Sequence, residues 1–80
     1  MKEIEYPKTI QGDPLELKDL DELAYAKQDD LEVTLYRSPE GQLFLDAPGR
    51  WLLVSLSEIN DGDTNSFVNE YMTCYLASDR

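Results

Sequence analysis

Three short apolar segments separated by two turn sequences constrain the fold of this chain most strongly. Residues 31–37 alternate apolar and polar side chains, which is the period of a strand with one buried face. Ser-Pro-Glu-Gly at 38–41 suits a type I turn, and Ala-Pro-Gly-Arg at 47–50 suits a type II turn. The pattern predicts an antiparallel meander with strands at 31–37, 42–46 and 51–56, the last in a central position because its apolar residues do not alternate.

Helices are predicted on both sides of this meander. Residues 19–28 follow a helical period after two Asp residues that can each cap a helix start. Apolar residues between 66 and 77 form one helical stripe, although their aromatic and β-branched content also suits a strand. Residues 2–11 indicate a fourth, edge strand interrupted by Pro7. We expect one α+β domain over residues 1–80, with one helix before the meander, one after it, and both packed on one sheet face.

The charge of the chain limits its partners. Seventeen Asp and Glu residues against seven Lys and Arg, without His, give a formal net charge of −10 in 80 residues. Nucleic acid and anionic membranes would repel such a chain, and no counterions would be released on contact. Its 41% hydrophobic content nevertheless predicts a folded domain. The expected partner is therefore a basic protein or a nucleoprotein complex.

The residue types needed for common catalytic chemistry are missing. Without His there is no Ser-His or Cys-His nucleophile pair, and the four glycines are isolated rather than grouped in a phosphate loop. We predict neither an enzyme nor a cofactor. The N-terminal residues lack the apolar stretch of a signal peptide, and the single cysteine cannot form an intrachain disulfide, which indicates a cytoplasmic setting. Cys74 lies in an apolar segment and is predicted to be buried and inert.

An acidic run between residues 13 and 32 is the main candidate for a binding site. Eight acidic residues and two lysines lie in this stretch. On a continuous helix, acids at spacings of three would line one edge, and acids beyond the helix end would oppose its dipole, so a purely structural role is unfavourable. The alternative is a solvated surface that keeps the protein soluble. The predicted partner-binding residues are Glu16, Asp19, Asp21, Glu22, Asp29 and Asp30.

Aromatic residues on the three predicted strands form a second pattern. Tyr36, Phe44 and Trp51 would lie on consecutive strands of the sheet. Stacking of nucleic-acid bases on them would need a basic groove, which the sequence does not provide. Core packing and cross-strand pairing explain the three aromatics better. An exposed aromatic at a protein interface is the alternative.

In size and charge the chain resembles phage-encoded inhibitors of host defence, such as anti-CRISPR, anti-restriction and glycosylase-inhibitor proteins. The resemblance is one of profile, without a shared motif, so it assigns no functional residue. It implies an inhibitor whose carboxylates occupy the basic nucleic-acid channel of a partner.

Two alternatives to such an inhibitor follow from other segments. One is a self-associating assembly domain, for example a homodimer, in which Phe67, Tyr71 and Tyr75 complete a core between chains. The other is a divalent-cation site formed by residues 58–63, namely Glu58, Asp61 and Asp63. Counted from Asp61 as an EF-hand loop, the sixth position is Ser66 instead of Gly and the twelfth is Met72 instead of Glu.

Overall fold

A five-stranded antiparallel sheet and a C-terminal helix form the domain. The structure, a computed structural model, describes residues 1–59 and 62–76. The strand order is β1-β5-β4-β3-β2, so the two strands nearest the N-terminus form opposite edges. The predicted α+β class is confirmed. The elements are β1 (Lys2–Ile4), β2 (Asp21–Gln28), β3 (Leu31–Arg37), β4 (Leu43–Ala47), β5 (Arg50–Val54) and α1 (Thr64–Tyr71), with 3-10 turns at Leu17–Asp19 and Leu56–Glu58 and a π-helical turn at Met72–Leu76.

The predicted meander is present as β3, β4 and β5, with ends shifted by one or two residues. The amide of Gly41 donates to the carbonyl of Ser38 at 2.9 Å, which closes the first turn. Gly49 closes the second turn with a φ of 77°, a conformation that glycine adopts without steric cost. β5 lies between β4 and β1 as an inner strand, and the predicted N-terminal edge strand is β1.

The predicted helix over 19–28 is wrong, because these residues form edge strand β2. β2 pairs with β3 from Asp21 opposite Arg37 to Gln28 opposite Leu31. A bulge inserts Leu23 as an extra residue between the pairs made by Glu22 and Ala24. The bulge turns the adjacent apolar residues Leu23 and Ala24 towards the same core, so apolar and polar residues do not alternate at this point. For this reason the apolar residues of the segment have a helical spacing in the sequence. Within residues 1–59 and 62–76, an α-helix is therefore present only after the sheet.

The main core lies between α1 and one sheet face, here called the inner face. Small side chains at Ala24 and Ala26 allow α1 to pack against β2 and β3. The helical stripe predicted within 66–77 is confirmed for Val68, Tyr71 and Met72, which are buried in this core. Ile59, which follows the second 3-10 turn, is also buried in this cluster. The sheet contributes the remaining buried side chains, which are Val33, Leu35, Leu43, Leu45, Ala47, Leu52 and Val54.

The opposite face, here called the outer face, is partly covered by the segment that joins β1 to β2. Phe44 points away from the α1 core, yet only 1% of it is exposed. The β1–β2 segment, residues 5–20, contributes the buried side chains Pro7 and Leu20. Its Lys8 carbonyl accepts from the side-chain amide of Gln42 at 3.1 Å. Since Gln42 is two residues before Phe44, we infer that this segment covers Phe44 and gives the sheet a second, smaller core.

The start of α1 depends on Asp63, and replacing Asp63 with Ala is expected to lower the melting temperature by several degrees at neutral pH. Its carboxylate accepts from the amide and the hydroxyl of Ser66 at 3.1 and 2.7 Å. These hydrogen bonds hold the pKa of Asp63 below its ordinary value of 3.8. The contribution is therefore complete above that value and is lost as the pH falls through the lowered pKa. Thermal melts of the variant across this pH range test it, with exposed Glu70→Ala as the control; equal melting temperatures at neutral pH would contradict the cap.

Candidate protein-binding surface

The six predicted binding residues do not form one helical row. They lie along edge strand β2, on the 3-10 turn before it and in the hairpin turn after it. Because β2 has eight residues, the groups at its two ends are separated by about 25 Å. The predicted continuous row is therefore wrong, and the six carboxylates follow an open sheet edge. We name this set the acidic edge: Glu16, Asp19, Asp21, Glu22, Asp29 and Asp30.

The first part of the acidic edge surrounds the 3-10 turn. The carboxylate of Asp19 accepts from the amide of Glu16 at 3.0 Å and fixes the turn. Lys18 lies 3.2 Å from the Glu16 carboxylate, and both side chains are largely exposed. An exposed pair of this kind contributes little to stability, so these charges remain accessible to a partner.

The second part follows β2 itself. Asp21 pairs with Arg37 across the ladder at 3.8 Å, again with both side chains exposed. Asp29 and Asp30 form the two-residue turn into β3, and Asp29 adopts a left-handed φ of 55°, which Asp tolerates better than most residues. Charged side chains on an edge strand also oppose pairing with a strand of another molecule. The edge is thus exposed, acidic and unsuited to sheet extension.

The aromatic residues divide between packing and exposure. Phe44 is buried, whereas Tyr36 and Trp51 are half-buried, with ring centroids 6.0 Å apart and planes tilted by 42°. Burial, together with the charge of Asp46, raises the pKa of Tyr36 above 10.0. The sequence interpretation is therefore confirmed as core packing for Phe44 and as cross-strand pairing for Tyr36, which lies directly opposite Phe44.

One row of outer-face side chains crosses the whole sheet without a buried member. The register places Tyr25 opposite Thr34, Thr34 opposite Asp46, Asp46 opposite Trp51, and Trp51 opposite Ile4. We name these five residues the outer row. Tyr25 is exposed and donates a hydrogen bond to Glu32, which raises its pKa. Sequence reasoning missed Asp46 as a site residue, although an acid in the apolar segment Leu-Phe-Leu-Asp-Ala was a signal.

The carboxylates proposed for a cation site have other partners. Glu58 accepts from the N-terminal ammonium of Met1 at 2.6 Å and from the amide of Ser55 at 2.9 Å, and these contacts lower its pKa. Asp63 caps α1, and Asp61 lies outside the described residues. Within residues 1–59 and 62–76 there is no group of three or more side chains suited to hold a metal ion.

Two further sequence expectations concern the C-terminal segment. Cys74 is exposed rather than buried, so its prediction as a buried thiol is wrong; it follows the last buried residue of the helical stripe by two positions and so points away from the core. The side chain of Tyr75 lies outside the described part of the chain. No helix of the described chain is long and apolar enough to cross a membrane.

Comparisons with known proteins do not add a family. No family model, curated protein or solved structure matches this chain.

Proposed function

We propose that the protein binds a basic surface of another protein through the acidic edge and so blocks that surface against nucleic acid. The observation that carries the proposal is that all six carboxylates are exposed and lie at one edge of the sheet, on β2 and its two flanking turns. The ion pairs to Lys18 and Arg37 are themselves exposed. A chain with a net charge of −10 would be steered towards a positive channel, with an association rate that falls as salt rises.

Carboxylates can replace phosphates in such a channel. They accept bidentate hydrogen bonds from Arg and pair with Lys, as phosphate oxygens do. The acidic edge presents them on a strand and two tight turns rather than on flexible tails, which reduces the entropy lost on binding. We therefore favour a stoichiometric inhibitor of a nucleic-acid-binding protein, of the phage-encoded kind, over a catalyst.

The packing of α1 is the reason to prefer this function over self-association. The assembly alternative assigned Phe67 and Tyr71 to a core between chains. Tyr71 is buried within its own domain, and Phe67 packs half-buried against the same core. Neither side chain is available as a large apolar face for a second copy.

Capture of the partner tests the proposal. Immobilised wild-type protein is incubated with nuclease-treated bacterial lysate at low and at physiological salt, beside two variants that each lose the same three charges. The edge variant is Glu22→Gln, Asp29→Asn and Asp30→Asn; the control variant is Asp13→Asn, Glu40→Gln and Glu70→Gln, three exposed acids outside the acidic edge. We expect a nucleic-acid-binding protein on the wild type and the control, weaker capture at higher salt, and at least about a tenfold loss on the edge variant.

Equal capture by the edge and control variants would show that net charge alone acts. Capture that salt does not weaken would also contradict binding through the acidic edge.

A further inference from the structure

The middle of the outer row holds a carboxylate beside an aromatic pair. Asp46 lies directly opposite Trp51 on β5 and Thr34 on β3. Directly opposite residues have Cβ atoms about 5 Å apart, so the Asp46 carboxylate lies beside the indole. The Tyr36 ring lies 6.0 Å from that indole, and the charge of Asp46 contributes to the raised pKa of Tyr36. One carboxylate and two rings therefore share a small area of the sheet face.

Asp46 differs from the other described acids in its surroundings. It is half-buried, and burial raises its pKa above 3.8. Within the described part of the chain, the carboxylate of Asp46 takes part in no ion pair or hydrogen bond. A partly desolvated carboxylate without a partner costs folding free energy, so the fold does not explain its presence.

A groove opens beside this carboxylate. Asp46, Trp51 and Ile4 line it, together with Glu3, Glu5 and Arg50. Arg50 is exposed, and its guanidinium is not within ion-pair distance of Asp46. The groove therefore combines a net negative charge with an aromatic wall.

We propose that this groove receives an arginine side chain of the basic partner, with the guanidinium paired to Asp46 and stacked against Trp51. The proposal rests on the proposed function, because it assumes a basic partner, and it adds a specific contact on the outer face. Arginine fits better than lysine, since its planar guanidinium pairs bidentately with a carboxylate and stacks on aromatic faces. The acidic edge would attract the partner, and this groove would select arginine.

Trp51 is the sole tryptophan of the chain, so its fluorescence reports on this groove directly. The probes are a hexa-arginine and a hexa-lysine peptide of equal charge, titrated at low salt into the wild type. We expect hexa-arginine to change the Trp51 emission and to bind at least about fivefold more tightly than hexa-lysine.

Asp46→Asn removes the charge and keeps the shape of the side chain. This variant is expected to bind hexa-arginine about tenfold more weakly and to lose the preference for arginine. Its melting temperature should equal or exceed that of the wild type, because a desolvated charge has been removed. The control Asp13→Asn, an exposed acid outside the groove, should retain the preference for arginine.

Equal affinities for the two peptides, or an unchanged arginine preference in Asp46→Asn, would overturn the arginine site. The edge variant separates the two proposals, since it should weaken both peptides alike and keep the arginine preference. If the wild type shows no preference for hexa-arginine but the edge variant still fails to capture the partner, the arginine site is wrong and the proposed function stands. If the wild type prefers hexa-arginine but the edge variant captures the partner normally, the arginine site stands and binding through the acidic edge is wrong.

Discussion

Replacement of Leu45 with Ala is expected to lower the free energy of unfolding by about 2–5 kcal/mol. Leu45 is fully buried in the middle of β4, between Leu35 on β3 and Leu52 on β5, and it faces α1. Truncation removes apolar contacts and leaves a cavity that β3, β5 and α1 cannot fill without shifting. A domain of this size has a total stability of only about 5–15 kcal/mol, so the loss is a large fraction of it.

Urea denaturation of the wild type and the variant measures this loss through the midpoint. Leu56→Ala is the matched control, because the same substitution is made at a side chain that is 74% exposed. The control should change stability by less than about 0.5 kcal/mol. A Leu45 variant as stable as the Leu56 variant would show that β4 does not lie at the centre of the core.

Replacement of Phe44 with Ala is expected to cost about 3–5 kcal/mol. Phe44 is the neighbour of Leu45 on β4 and points to the outer face, away from α1. Its side chain is 1% exposed, and we infer that the β1–β2 segment, residues 5–20, covers it. Large losses at both positions are therefore expected only if the sheet has a core on each face.

Hydrogen exchange distinguishes the two cores. The Phe44 variant should increase exchange at the amides of Ile10 and Leu15, whose hydrogen bonds to Glu40 and to the carbonyl of Pro7 hold the segment in place. A loss of stability below about 1 kcal/mol would mean that segment 5–20 does not seal the outer face. In that case the exposed part of the outer face, on which the arginine site lies, would be larger than described above.

The parts of the fold that the sequence predicted are those with local causes. The two turns of the meander depend on Pro and Gly at positions where few other residues fit, and both turns are present. The strand at Asp21–Gln28 was mistaken for a helix because the bulge at Leu23 disturbs the period of two over a short segment. The strand is stabilised by pairing with β3, and the spacing of apolar residues within the segment itself does not show this pairing.

The candidate sites show the same division. The acidic residues themselves were evident from the sequence, but their arrangement depended on whether residues 19–28 formed a helix or a strand. Asp46 stands out in the sequence as an acid within the apolar segment Leu-Phe-Leu-Asp-Ala, but the sequence does not show which residue lies opposite it. Only the pairing of β4 with β5 brings it beside Trp51.

Displacement of nucleic acid from the captured partner tests the central claim most directly. A fluorescently labelled oligonucleotide bound to that partner is titrated with the wild-type protein, the edge variant and the control variant, and its anisotropy is followed. The account predicts release of the oligonucleotide by wild type and control at a stoichiometric ratio, with the edge variant at least about tenfold less effective. A ternary complex in which the oligonucleotide stays bound, or equal potency of the two variants, would contradict it.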